Sequence, residues 1–224
     1  MRSLLLGALA AAAVGCEFDR GADALGGDDV DAAVTDGDAA VEVPDAAVAD
    51  PVEMTVSITA AANDALQDPN GAVLVFYSWV SLYSSDHWGA LRFALPGIQP
   101  GAVIQSAYLE LVIDSTSEDD PNMVMTTEAS PMPAPLATIS GNISNRSAGK
   151  ARVSWQATGI GQGRRRSPLV TDLIQERVDT VGWPAGGDVL FLFDAGTTSN
   201  FEYRQVDHGT GADAARLIVT YVNP

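Results

Sequence analysis

The stretch from Ser167 to Phe193, SPLVTDLIQERVDTVGWPAGGDVLFLF, decides how the chain folds, because it joins the one convincing helical pattern to the most continuously apolar strand. Ser167 suits the capping position, and Pro168 fits a first turn whose N–H has no helical partner in any case. Leu169, Val170, Leu173 and Ile174 recur at helical spacing, which makes one face apolar and leaves Asp172, Glu176 and Arg177 for water. A helix this short is unstable alone, so its apolar face has to lie on something. Gly182-Trp183-Pro184 ends it and Gly186-Gly187 turns the chain. Val189 to Phe193 is then an unbroken apolar run of strand length, the pattern of a strand covered on both faces. Trp183, at the helix exit, is expected to close the end of the fold over Leu190 or Leu192.

Outward from that stretch the chain reads as short strands between turn signals. Met54 to Ala60 alternates Val56 and Ile58 with Thr55, Ser57 and Thr59, and Asn63-Asp64 and Asp68-Pro69-Asn70-Gly71 mark turns. Ala72 to Tyr83 is rich in strand formers. Trp88 to Leu95 sets Leu91, Phe93 and Leu95 on one face and Arg92 on the other. Ser106 to Asp114 alternates most cleanly, with Ala107, Leu109, Leu111 and Ile113 inward and Tyr108, Glu110 and Asp114 outward. Met123 to Glu128, Ala151 to Trp155, Phe201 to Val206 and Ala215 to Val222 follow as strands. A Pro-, Ser- and Asn-rich loop precedes Ala151, and Gly159 to Arg166 reads as another loop. Together these patterns predict a mainly β, jelly-roll-like β-sandwich with one short helix packed across an end or edge.

The N-terminal quarter is different material. Met1-Arg2-Ser3 carries one positive charge, Leu4 to Val14 is an apolar run too short to span a bilayer, and Ala13-Val14-Gly15 places small residues before the sole cysteine, Cys16. Residues 1–15 are therefore expected to be a signal peptide, and one cysteine leaves no internal disulfide. The boundary resembles a bacterial lipobox, although Ala13 stands where that family most often has Leu. The resemblance implies cleavage before Cys16 and a diacylglycerol on its sulfur; the alternative is ordinary secretion. Glu17 after the cysteine resembles the sorting pattern that favours the outer membrane. Acyl chains would hold the protein at a membrane surface without a spanning helix.

The formal net charge of -17 falls mostly on the segment behind the cysteine: residues 17–53 carry twelve acids and one Arg, whereas residues 54–224 carry seventeen acids and ten bases. Residues 16–53 repeat Ala, Asp, Val and Gly without period, so a disordered acidic tether is expected, followed by one domain over 54–224. A chain this acidic repels phosphate backbones, which disfavours nucleic acid as a partner.

A family resemblance rests on the series Ala90-Leu91-Arg92-Phe93, Pro100-Gly101-Ala102-Val103-Ile104, Ala107-Tyr108-Leu109, Ile143-Ser144-Asn145-Arg146, Val153-Ser154-Trp155, Ser167-Pro168-Leu169 through Ile174-Gln175-Glu176, Gly182-Trp183 and Leu217 to Tyr221. In this order the chain resembles the DNRLRE and disaggregatase-related β-sandwich modules of extracellular bacterial proteins, and the carbohydrate-binding jelly rolls near them. The resemblance covers about residues 54–222 and implies a non-catalytic role at the cell surface. An acidic run expected near the first turn stands here as Asn63-Asp64-Ala65-Leu66-Gln67, and an aromatic-bearing segment expected after Trp155 is replaced by Gln156-Ala157-Thr158-Gly159.

Three groups of residues are candidate sites. Asp64, Glu128 and Asp207 would hold a structural calcium ion if they converge at one rim, since calcium takes roughly six to eight oxygen ligands; otherwise they are turn and surface acids. Trp79, Tyr83, His87 and Trp88 flank Ser84-Ser85-Asp86 and would offer aromatic faces to a sugar ring, against core packing for the tryptophans. Trp155 and Trp183 are expected in the core. Arg164-Arg165-Arg166 would grip an acidic glycan or simply balance an acidic domain. Asp86-His87 and Asp207-His208 are poor catalytic dyads because neighbours on a strand point to opposite faces, and no Gly-x-Ser-x-Gly or His-Glu-x-x-His pattern occurs. The expected function is that of a non-catalytic surface lipoprotein binding glycan or another envelope or extracellular component. Its rival is a purely structural or assembly module of the envelope.

Overall fold

In chain order the strands are β1 (Val52–Ser57), β2 (Asp64–Gln67), β3 (Val73–Val75), β4 (Trp79–Leu82), β5 (Trp88–Ala94), β6 (Val103–Thr116), β7 (Asn122–Thr127), β8 (Val153–Gln156), β9 (Gly163–Arg166), β10 (Asp188–Asp194), β11 (Phe201–Arg204) and β12 (Arg216–Val222). One helix, α1 (Thr171–Val178), joins them, with a 3-10 turn at Ala61–Asn63. The computed structural model describes residues 49–58, 60–75, 79–82, 87–116, 122–156, 161–194, 201–204 and 213–224, all within one compact unit, Ala46–Pro224. The expected signal peptide, Cys16, nearly all of the acidic segment, Tyr83 and Asp207 lie outside the described residues. β1 opens at Val52, opposite Tyr221, so the expected domain boundary at residue 54 falls inside a strand.

The strands form a β-sandwich of two antiparallel sheets. The first has the order β1-β12-β6-β11-β4, with β9 on the other side of β6, and the second has the order β3-β2-β5-β10-β7-β8. Alternation decides which side chains enter: Ala107, Leu109, Leu111 and Ile113 of β6 and Leu91 and Phe93 of β5 are buried between the sheets, with Leu217, Val219, Phe191 and Phe193. The Phe93 ring meets Phe191 edge-on at 6.0 Å, and Phe191 stacks on Phe193 at 6.4 Å. Trp155 is buried in the same core, as expected.

β6 has two edges to satisfy, and the second organises Gly163–Val178. β12 and β11 line one edge. Along the other, β9 pairs with Glu110–Ile113, then the chain changes from strand to helix while still bonding to β6. The Ser167 N–H donates to the Leu109 carbonyl (2.8 Å), the Leu109 N–H to Ser167 Oγ (3.0 Å), and the Val170 N–H to the Ala107 carbonyl (2.8 Å). The Ala107 N–H donates to Thr171 Oγ1 (3.1 Å) and the Ile104 N–H to Gln175 Oε1 (2.7 Å), whose amide reaches the Ala102 carbonyl (3.1 Å). A strand edge that would stand open is thus closed by one turn after another of side-chain and backbone partners.

That closure corrects four expectations. Gly163–Arg166 is a strand and not a loop, because β6 offers it a partner. Ser167 does not cap the helix, since its hydroxyl is held by Leu109 and donates to the Pro168 carbonyl; α1 starts at Thr171 with Val170 at the uncapped position. Leu169 is 62% exposed, and the buried face is instead Val170, Leu173, Ile174 and Val178. Arg177, expected in water, is 3% exposed.

Covering β10 on both faces takes two separate clusters. Val189, Phe191 and Phe193 face the main core, while Leu190 and Leu192 point the other way into a second cluster with Ala65, Val73, Ala90, Leu136 and Ile143. The last two come from residues 129–150, an irregular strap laid over the outer face of the second sheet. Trp183 does not close over Leu190 or Leu192 but joins the main core, its ring crossing Gly187 so closely that a Cβ there would sit 3.0 Å from it.

The position of the helix face is checked by truncation. Leu173→Ala should remove roughly 2–5 kcal/mol, and Trp183→Ala a comparable amount, lowering the melting temperature by on the order of 10 °C, whereas Leu169→Ala should leave it nearly unchanged. Thermal unfolding of the three variants reads this directly.

Candidate functional site

The aromatic candidates divide between the sheets. Trp88 begins β5 in the second sheet, half-buried against the second cluster, with half-buried His87 before it; its row runs from Gln67 of β2 through Trp88 to Asp194 of β10. Trp79 begins β4 in the first sheet, opposite Arg204 of β11. The structure therefore brings His87 and Trp88 together and sets Trp79 on the other layer, with Tyr83 outside the described residues. Trp88 packs, partly buried, against the second cluster, which includes Ala65 and Ala90.

Asp64 and Glu128 are apart. Asp64 pairs with Leu91, Leu91 with Phe191, and Phe191 with Thr127, so Asp64 and the Glu128 beyond β7 are separated by three strand spacings, about 14 Å. Glu128 forms an ion pair with Arg146. Asp207 lies outside the described residues, and among the described residues no three His, Cys, Asp or Glu side chains gather as metal ligands.

The strap explains how the remaining polar side chains are used. Arg146 donates to the Asn142, Ala134 and Pro135 carbonyls as well as pairing with Glu128, so one guanidinium binds the strap to itself and to the end of β7. Gln67 accepts from the Ile143 and Ser144 N–H groups (3.0 Å each) and donates to Ser144 Oγ (2.7 Å). Arg92 donates to the Pro133 carbonyl (3.2 Å) and Asn63 Oδ1 (3.1 Å) and pairs with Asp188. It also lines an open cleft together with Val56, Ser57, Asn63, Ala94 and Pro96. Its partners Pro133, Asn63 and Asp188 fix the orientation of the Arg92 guanidinium.

At the other end of the strap, Glu176 accepts from the Lys150 (2.8 Å) and Ala151 (2.9 Å) N–H groups and pairs with Arg177 at 2.9 Å. Arg177 in turn donates to the Glu128 carbonyl (3.1 Å). Gly149 leaves room for this contact, since a Cβ there would lie 2.7 Å from the Glu176 carboxylate. Burial pushes the Glu176 carboxyl up, but the two backbone donors and then Arg177 outweigh it and hold it below the ordinary value. These pins escaped the sequence reading. A usable signal was present in Arg146, an isolated base within a Pro-, Ser- and Asn-rich run.

A depressed folded-state value means that Glu176 contributes stability above the ordinary carboxylate range and loses it as pH falls through the lowered value. Acid unfolding should therefore include a loss that begins below about pH 4.5. Glu176→Gln, with one acceptor oxygen for two donors, should cost roughly 1–3 kcal/mol at neutral pH. The gap between variant and wild type should close on acidification, as read from denaturant unfolding across pH.

No protein-family model matches the chain, and no curated protein matches it.

Proposed function

We propose that the chain is a non-catalytic lipoprotein of the bacterial cell surface, whose β-sandwich is displayed on an acidic arm and binds glycan or another envelope or extracellular component. One combination carries this reading: a lipobox-like Ala13-Val14-Gly15-Cys16 and a long acidic segment, followed by a sandwich whose first strand opens at Val52. No helix among the described residues is long and apolar enough to cross a membrane. The resemblance to DNRLRE and disaggregatase-related modules supports a role in display and binding. Glu17 favours the outer membrane as the place of anchoring. A structural calcium ion on Asp64, Glu128 and Asp207 belongs to the same resemblance, and the separation of Asp64 from Glu128 argues against all three sharing one ion.

A second reading, an assembly module of the envelope without a small ligand, draws support from Arg92, Arg146, Gln67 and Glu176, whose polar groups hold the fold to itself. A glycan array probed with the Cys16→Ser chain separates the two. Binding that weakens in Trp88→Ala or Trp79→Ala supports the first, and uniform absence of binding supports the second.

Anchoring has its own check. Cells fed an alkyne fatty acid should label the wild-type chain and leave Cys16→Ser unlabelled, with the variant released from the membrane fraction. An unlabelled wild type in the medium would mean secretion instead.

A further inference from the structure

We propose that the cleft beside Arg92 binds an extended peptide segment of another protein, held by strand-edge hydrogen bonds to Ser57 on one wall and Ala94 on the other. This goes beyond the glycan reading and does not depend on it. The lining comes from both layers of the sandwich: Val56 and Ser57 end β1 of the first sheet, and Arg92 and Ala94 belong to β5 of the second, with Asn63 and Pro96 beside them.

Ladder geometry decides where the main-chain groups of these residues point. In an antiparallel pair, the N–H and C=O of successive residues alternate between the two sides of a strand. The Leu95 N–H donates to the Gly187 carbonyl (2.9 Å), just past the pair Ala94–Asp188, so Leu91 and Phe93 bond to β10. Ala94 then turns its own N–H and C=O to the opposite side, that of β2. β2 does not reach so far. It starts at Asp64, opposite Leu91, and the Asn63 N–H before it turns back to the Ala60 carbonyl (3.0 Å). β1 repeats the situation on the other wall. The Ile58 N–H donates to the Ala215 carbonyl (3.2 Å), so Val56 faces β12, and Ser57 turns its N–H and C=O to the free edge of the first sheet. Among the described residues, neither Ser57 nor Ala94 has a main-chain hydrogen-bond partner on that side.

Two unpaired strand edges therefore line one open cleft, and each offers a donor and an acceptor. A peptide strand carries the complement on both of its sides, because its own N–H and C=O groups alternate. Sugar hydroxyls also satisfy such groups, but sugar rings favour an aromatic face, and no aromatic residue is among the described residues of the lining. At about 220 Å³ the cleft is smaller than the roughly 300–1,000 Å³ of pockets that enclose a small molecule, which suits a length of chain passing through it. Charge narrows the sequence of that chain. Arg92, the charged residue of the lining, is paired with Asp188, so the residues inside the cleft are uncharged, and small enough to pass Val56, Ala94 and Pro96. Outside it, seventeen acids against ten bases over residues 54–224 favour Lys or Arg at the ends of the segment.

Selection of a phage-displayed library of random peptides on the immobilised Cys16→Ser chain supplies the probe, and the enriched peptide is then synthesised. Its binding should weaken with salt. It should fall roughly tenfold or more in Ala94→Pro and in Ser57→Pro, each of which removes an N–H that the sheets do not use, while Leu169→Ala leaves it intact. Hydrogen exchange in the chain without these substitutions keeps the test independent of how the proline variants fold. The Ser57 and Ala94 amides should exchange fast in the free chain and slow by roughly tenfold or more with the peptide bound. No enrichment, full binding by both proline variants, or slow exchange of both amides without peptide overturns the proposal. A neutral glycan that loses affinity in Ala94→Pro when no peptide is enriched overturns the peptide assignment and leaves the glycan reading standing.

Discussion

The second edge of β6 is the constraint on which the rest of the sandwich depends. This strand carries the inward residues Ala107, Leu109, Leu111 and Ile113, and its outer edge holds backbone groups from Ala102 to Ile113 that no further strand of full length meets. Leaving such groups unpaired costs about 1–3 kcal/mol each when buried. β9 meets the upper part, and then Ser167, Val170, Thr171 and Gln175 meet the rest one after another. The position of the helix follows from this. α1 lies where its side chains finish the edge, and its apolar face then seals the flank of the core with Leu173, Ile174 and Val178.

A second constraint comes from β10, whose alternating side chains are apolar in both directions. Phe191 and Phe193 make the main core, but Leu190 and Leu192 demand a cover on the far face, and the sequence supplies no extra sheet for it. Residues 129–150 serve instead. Irregular backbone laid on an apolar face has carbonyls and amides to satisfy, which is why Arg146, Arg92 and Gln67 reach across it and why Glu176 holds its exit. The polar side chains that look most like a site from composition are largely committed to this work.

Those commitments shape what is left for function. Trp88 is drawn onto the second cluster and Glu128 onto Arg146.

How much could be read from the chain alone follows the range of each interaction. The alternation in Ser106–Asp114, the inward set Leu91, Phe93 and Leu95, the doubly covered run Val189–Phe193 and the existence of one helix near residue 173 are properties of neighbouring residues, and two periodicities carry them. They sufficed for a mainly β sandwich. Where the helix begins was not local: Ser167 would cap it in isolation, but the Leu109 amide, 58 residues away, takes that hydroxyl. The strand at Gly163–Arg166, the burial of Arg177, the exposure of Leu169 and the strap over Leu190 and Leu192 likewise depend on partners brought near only by folding. Periodicity determines which faces must be covered; only the packed sheets decide what covers them, because an unsatisfied backbone edge takes whichever partner the tertiary fold brings within hydrogen-bonding reach.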